Sequence, residues 1–138
     1  MRQVKKITAL TSILIILIAL FYWCLPFILI FKSFTQPNKQ KEISLLTTAV
    51  KISIFAPQKQ YSLESAIPAL VISKDYLGAI EYIKDLEKIT TLNNGIKYLA
   101  SYSYMQIGDF ENAMQYAIES ENKKIQTKIY NKIKEKRK

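Results

Sequence analysis

The sequence predicts an all-α chain in which one long apolar helix precedes a small helical domain. Two observations lead to this prediction. An uncharged run covers positions 7–31, and the apolar residues beyond it recur mainly at three- and four-residue spacing. A third observation is an echo in the second half of the chain at a spacing of about 34 residues, because a fixed period of this length is typical of stacked helical units.

The uncharged run at 7–31 follows a basic flank, residues 1–6, that contains Arg2, Lys5 and Lys6. As a helix the run is about 37 Å long, and the hydrocarbon core of a bilayer is about 30 Å thick. Sixteen of its residues are Ile, Leu or Phe, which together favour insertion by about 5–10 kcal/mol. The run is therefore predicted to be a single transmembrane helix.

A cleavable signal peptide and a lipoprotein signal are the alternatives for this run. Signal peptides have shorter apolar regions and end in a small-x-small cleavage site, and the sequence FKSFTQP that follows offers none. Cys24 lies behind bulky aromatic residues and inside the apolar run. An uncleaved signal anchor is favoured, in a bacterial inner membrane.

Similar numbers of basic residues flank both ends of the apolar run, and the short basic flank before it predicts a cytoplasmic amino terminus with the domain outside.

The positive charge of the chain is concentrated at its two ends. Net charge is +6 over residues 1–41, −4 over 42–122 and +7 over 123–138, within a total of +9. Residues 32–41, which contain Pro37, are predicted to be a linker, and 42–122 a helical domain of mildly acidic character. Nucleic-acid binding is not expected, because no recognition motif is present and the acidic body repels phosphate.

Catalysis and metal binding find little support in the composition. The chain has no histidine, and its single cysteine lies in the apolar run. The commonest general base and the usual Cys/His zinc ligands are therefore missing. The acidic residues of the domain fall on predicted helix surfaces or caps, and no glycine-rich phosphate loop occurs. We expect no enzyme activity, no metal and no cofactor.

Two segments of the domain repeat each other. KDYLGAIEYI at 74–83 aligns with GDFENAMQYA at 108–117, so that Asp75 pairs with Asp109 and Ala79 with Ala113. Each aspartate stands where a helix is expected to start, and its carboxylate can accept from the free N–H groups of the first turn.

On these residues the chain resembles the tetratricopeptide repeat family. The resemblance implies two antiparallel helices per repeat unit, with repeats at about 62–89 and 96–122 and a partial repeat at about 41–57. It implies that five residues pack within the repeats, namely Ala79, Tyr104, Gly108, Phe110 and Ala113. The first repeat departs from the family, since Lys74 replaces the turn glycine and Pro68 lies inside a helix. The alternative is an ordinary helical bundle.

The resemblance also implies a binding groove lined by the first helix of each repeat. It places Tyr98, Tyr102 and Met105 on that face, and their i, i+4, i+7 spacing does put them on one side of a helix. Tyrosine and methionine are favoured at protein interfaces. The alternative is a core face packed against the last helix. A short array also leaves an end uncovered, which predicts a partner or a second copy of the chain.

The tail at 123–138 is predicted to be a basic amphipathic helix, with isoleucines at Ile125, Ile129 and Ile133. Such a helix can bind an anionic membrane surface or an acidic partner, and the alternative is a frayed terminus. The residues expected to carry this binding are its lysines: Lys123, Lys124, Lys128, Lys132 and Lys136.

The combined hypothesis is a membrane-anchored adaptor for protein–protein interaction, such as a subunit of a cell-envelope assembly. The alternative from another class is a small membrane-active protein, of pore or toxin type, in which the apolar run and the basic tail disturb the bilayer.

Overall fold

The computed structural model describes the backbone of residues 2–136 and the side chains of residues 11–135. Over this range the chain is all-helical and contains no strand, which confirms the predicted all-α class with one apolar helix at its amino-terminal end. Seven helices follow one another: α1 (Arg2–Phe34), α2 (Lys39–Ile52), α3 (Ala56–Ile72), α4 (Tyr76–Glu87), α5 (Asn94–Ile107), α6 (Phe110–Glu119) and α7 (Lys123–Lys136).

Helix α1 has two parts with different surroundings. Its segment Thr11–Phe34 is the one helical segment in the described part of the chain that is long and apolar enough to cross a membrane. Every side chain from Thr11 to Cys24 is exposed. Beyond that point Pro26, Ile30 and Ser33 are buried, because α1 packs there against α2 and α3.

The helices form two layers. The odd-numbered helices α1, α3, α5 and α7 contact one another in sequence order, whereas the backbones of the even-numbered helices stay apart in the described range. Each even-numbered helix packs against the two odd-numbered helices that flank it in the sequence. Short connections between packed neighbours give an up-and-down array, and α1 is its first member.

Two hydrophobic clusters hold this array together. The larger one joins α1 to α5 through buried residues that include Ile30, Leu46, Leu63, Ile67 and Ile83. The second cluster joins α5 and α6 to α7 and is built from Ile80, Tyr104, Met105, Ala113, Ala117, Ile125 and Ile129. Helix α7 therefore covers one end of the array and α1 covers the other. Both ends are therefore covered, and an exposed end is no longer a reason to predict a second copy of the chain.

A left-handed residue joins consecutive helices at Glu121, between α6 and α7, and also at Lys74 and Gly108, where the two repeated turns have the same backbone geometry. Lys74 and Gly108 have positive φ, 68° and 85°. In these two turns the next residue, Asp75 or Asp109, donates its N–H over 3.0 Å to the carbonyl five residues earlier. Each aspartate then caps the following helix, accepting from an N–H three residues later. The repeat seen in the sequence is thus a repeat of structure at this turn.

Small residues allow α5 and α6 to approach closely. Ser101 is fully buried and its hydroxyl donates to the carbonyl oxygen of Ala113 over 2.7 Å. A larger side chain at either position would separate the two backbones, because a packed interior has no room for added atoms.

Several predicted boundaries fall inside helices. The segment 32–41, assigned to a linker, contains the end of α1, a turn at 35–38 and the start of α2. Helix α2 occupies most of the partial repeat at 41–57, and α1 supplies the helix that pairs with it.

Substituting Lys74→Gly is expected to stabilise the fold by about 0.5 kcal/mol. A side chain in the left-handed region costs roughly 1–2 kcal/mol, and the greater freedom of glycine in the unfolded chain offsets part of that gain. Urea unfolding in detergent, followed by helical circular dichroism, measures the change. The matched control is Gly108→Ala at the equivalent turn, which should destabilise. A lower stability of Lys74→Gly would contradict the assignment of strain to this turn.

Candidate interaction surface

One side of α1 carries a row of exposed aromatic side chains. Trp23, Phe27, Phe31 and Phe34 follow one another at helical spacing, with exposed fractions of 43%, 38%, 74% and 65%. Their spacing of three and four positions places them along one stripe. The neighbouring stripe of α1, which contains Ile30 and Ser33, is buried in the array. Single exposed apolar residues are common on proteins, whereas a continuous row of this kind is typical of a surface that contacts another protein or a membrane.

The aromatic row continues from α1 onto α3, and the sequence interval relates it to α5. The rings of Phe27 in α1 and Tyr61 in α3 are 5.5 Å apart, and Tyr61 follows Phe27 by the same interval that separates Lys74 from Gly108. That interval also relates Phe34 to Pro68 and Pro68 to Tyr102 of α5. We call this surface the odd-helix face and define it by Phe27, Phe31, Phe34, Tyr61, Pro68, Tyr98 and Tyr102.

The three residues predicted to line a groove have different environments. Tyr98 is 39% exposed and borders a shallow pocket of about 230 Å³ that it shares with α7. Tyr102 is half-buried, and its ring stands edge-on to that of Tyr76 at 6.1 Å. Met105 is buried in the cluster under α7, so a partner reaches it only if α7 moves. Two of the three therefore offer surface to a partner.

The five residues expected to pack within the repeats lie at helix contacts or in the turn. Ala79 and Ala113 have no exposed surface, and Tyr104 is buried with its ring stacked on Tyr116 at 5.6 Å. Gly108 forms the left-handed turn, and Phe110 packs at the edge of the second cluster.

The lysines of α7 whose side chains are described are on its exposed surface, and Lys124 and Lys128 border the pocket beside Tyr98. The side chains of Lys123, Lys124, Lys128 and Lys132 are exposed, and the side chain of Lys136 lies outside the described residues. The isoleucine stripe of the same helix is used for packing, since Ile125 and Ile129 are buried. Any contact of α7 with an anionic surface would therefore be made by its lysines, without insertion of its apolar side.

The contribution of α1 to the odd-helix face was missed by sequence reasoning. The apolar run was assigned to the bilayer as a whole, and hydropathy does not distinguish lipid from a protein neighbour. A signal was nevertheless present, because Phe27 and Phe34 precede Tyr61 and Pro68 by the interval of the sequence repeat.

Polar side chains join the even-numbered helices at one end of the array. The hydroxyl of Tyr116 in α6 donates to the carboxylate of Glu87 at the end of α4 over 2.5 Å, and Lys97 pairs with Glu119 at 3.5 Å. Burial, together with the hydrogen bond to Glu87 and its charge, raises the pKa of Tyr116 far above its usual value of 10.0. Glu87, Lys97 and Glu119 border a polar cleft of about 470 Å³.

The cleft does not assemble a catalytic or metal-binding arrangement. Its carboxylates are engaged with Tyr116 and Lys97. Among the residues whose side chains are described, no group of three or more acidic or cysteine side chains lies close enough to hold a metal ion. The contacts instead tie neighbouring helix pairs together.

Substituting Tyr116→Phe is expected to reduce the sensitivity of the fold to alkaline pH. Because the pKa of Tyr116 is higher in the folded chain than the unfolded value of 10.0, its contribution to stability is complete below about pH 10 and falls as the pH rises further. The phenylalanine variant should be less stable at neutral pH, by roughly 1–3 kcal/mol, and should lose less stability above about pH 10.

Urea unfolding at a series of alkaline pH values measures this difference. Tyr130→Phe is the matched control, because Tyr130 is 63% exposed on α7 and its removal should leave the pH profile unchanged. Parallel profiles for wild type and Tyr116→Phe would contradict the role given to the Glu87 contact.

The chain matches no protein-family model, no curated protein and no solved structure.

Proposed function

We propose that this chain is a membrane-anchored adaptor, tethered by the first part of α1, that binds another protein on its odd-helix face. The observation that supports the proposal is the exposed aromatic row at the end of α1. Phe27, Phe31 and Phe34 are exposed although the same helix buries Ile30 and Ser33 in the array.

The length of α1 separates an anchor from a binding surface. About 20 residues cross the hydrocarbon core, and counting from Ile7 after the charged Lys6 this distance ends at Pro26. The aromatic row from Phe27 to Phe34 then begins at the edge of the hydrocarbon core, and its far end, at Phe31 and Phe34, stands beyond the acyl chains. Aromatic residues are enriched at the centres of protein interfaces, so a protein partner is the occupant that this surface fits.

The repeated turn supports a tetratricopeptide-type array as the scaffold for this surface. In such an array the first helices stand side by side, as α1, α3 and α5 do. A partner segment that crosses them would meet aromatic side chains on each: Phe34, Tyr61 and Tyr102. Tethering keeps the array close to other membrane proteins and raises their effective concentration, so a modest intrinsic affinity suffices.

We further propose a bacterial inner membrane as the site, with the domain outside the cytoplasm and the partner in an envelope assembly. The short basic segment before the apolar run supports this orientation, because such segments tend to stay in the cytoplasm. A membrane-active role has less support, since the isoleucine stripe of α7 is packed inside the protein at Ile125 and Ile129 and is not free to enter a bilayer.

Site-specific cross-linking in intact membranes tests the adaptor proposal. A photo-reactive amino acid is placed at Phe34 or Tyr102 on the odd-helix face, and at Leu77 as the matched control. Leu77 is 68% exposed on the even-numbered helix α4, so it is accessible on the other layer. Both odd-helix positions should capture the same protein, and the control should not capture it.

Other results of this experiment would count against the proposal. Capture of lipid alone at Phe34 and Tyr102, or equal capture at Leu77, would mean that the odd-helix face is not a protein-binding surface. Capture of a second copy of this chain would identify the partner as the chain itself.

A further inference from the structure

The connection from α2 into the start of α3 exposes four consecutive apolar residues. Ile54, Phe55, Ala56 and Pro57 are all exposed, Ile54 at 76% and Phe55 at 49%. We call this segment the IFAP turn. Turns are usually polar, and a run of exposed apolar residues in one is unfavourable unless something covers it.

The IFAP turn is fixed beside one level of α1. The ring of Phe55 lies 4.9 Å from that of Trp23. Immediately after the turn, Gln58 is almost fully buried and donates its side-chain N–H to the backbone carbonyl of Trp23 over 2.5 Å. The height of the turn along α1 is therefore the height of Trp23.

That height coincides with the edge of the hydrocarbon core. If the core spans about 20 residues from Ile7 and ends at Pro26, Trp23 lies roughly 5 Å inside the edge at a rise of about 1.5 Å per residue. Tilting the helix moves the edge further along α1 and places Trp23 deeper. The side chains of the IFAP turn consequently stand at the boundary between acyl chains and headgroups.

The charges around the turn suit a membrane surface. Lys51 precedes the turn and is exposed, and Lys59 follows it and is half-buried. No acidic residue occurs between Glu42 and Glu64. Lys51 can extend its ammonium group to a lipid phosphate while its alkyl stem stays in the apolar region, whereas the ammonium group of Lys59 donates to the carbonyl oxygen of Val50 over 3.2 Å.

Several polar groups in and beside the turn are paired within the protein. The hydroxyl of Ser53 donates to the carbonyl of Ala49 at 2.7 Å and lies 2.9 Å from the hydroxyl of Ser62. The backbone N–H of Ser53 also bonds to Ala49, and that of Phe55 bonds to the side-chain oxygen of Gln58. A turn with these groups paired loses less by leaving water than an ordinary turn does.

We propose that the IFAP turn inserts into the same bilayer that α1 crosses, at the acyl–headgroup boundary. This inference rests on the proposed membrane anchor and adds a second membrane contact to it. Two contacts on different helices restrict rotation of the array about α1. The odd-helix face is then held in one orientation relative to the membrane.

Tryptophan quenching by brominated lipids in nanodiscs tests the insertion on the full chain. Trp23 is the only tryptophan, so Trp23→Phe gives a silent background that keeps a ring beside Phe55. Single probes are then added as Phe55→Trp in the turn, Leu17→Trp in the anchor and Ile72→Trp as the matched control. Ile72 is 62% exposed at the other end of α3.

The expected pattern separates the turn from the anchor. Leu17→Trp should lose most emission to bromines deep in the acyl chains, and Phe55→Trp should lose most to bromines near the glycerol backbone. Ile72→Trp should lose none. Adding Ile54→Asp should reduce the quenching of Phe55→Trp, and because Ile54 is largely exposed this change should leave the helical circular dichroism unaltered.

Two results would overturn the inference in distinguishable ways. If Phe55→Trp is as unquenched as Ile72→Trp while Leu17→Trp is quenched, the turn is not inserted and the anchor stands. If Leu17→Trp is also unquenched, α1 does not span the bilayer and both the anchor and the insertion are wrong.

Discussion

Helix α1 continues unbroken through Pro26, and the position of the array relative to the apolar segment depends on that continuity. Proline lacks the N–H that would bond to the carbonyl four residues earlier, and a helix is weakest at such a point. The next carbonyl along, that of Trp23, receives a hydrogen bond from Gln58 of α3, while Pro26 itself is buried. The array thus contacts the helix one residue away from the carbonyl that loses its bond, and α1 is a single element from Arg2 to Phe34.

Because the apolar segment and the part of α1 that packs in the array form one continuous helix, no flexible spacer separates them. The cluster around Ile30 packs α2 to α5 against α1, and the second cluster attaches α6 and α7 to α5. Partner binding on the odd-helix face and contact of the IFAP turn with lipid would be coupled by the same rigid connection. Helix α7 closes the other end with Ile125 and Ile129, and the array buries both of its ends with its own chain.

Local sequence was sufficient to predict the helix caps of the repeat, but not which of its residues are covered by other helices. Asp75 and Asp109 act as the helix caps that their positions predicted, since capping depends on neighbouring residues alone. Lys74 takes the left-handed conformation of the glycine it replaces, because the turn hydrogen bonds fix the backbone. The burial of Met105 could not be derived from its helix, since α7 provides the covering surface and nothing local specifies that contact.

Three properties could be derived without the structure: the helical character of the chain, one segment apolar enough to cross a membrane, and a recurring turn. They follow from periodicity, hydropathy and capping, which act between residues close together in the chain. Long-range packing determined which part of the apolar segment joins the array and which side of the basic tail is hidden. Lipid and a protein core attract the same side chains, so only the packing of Ile30 and Ile129 against distant helices distinguishes them.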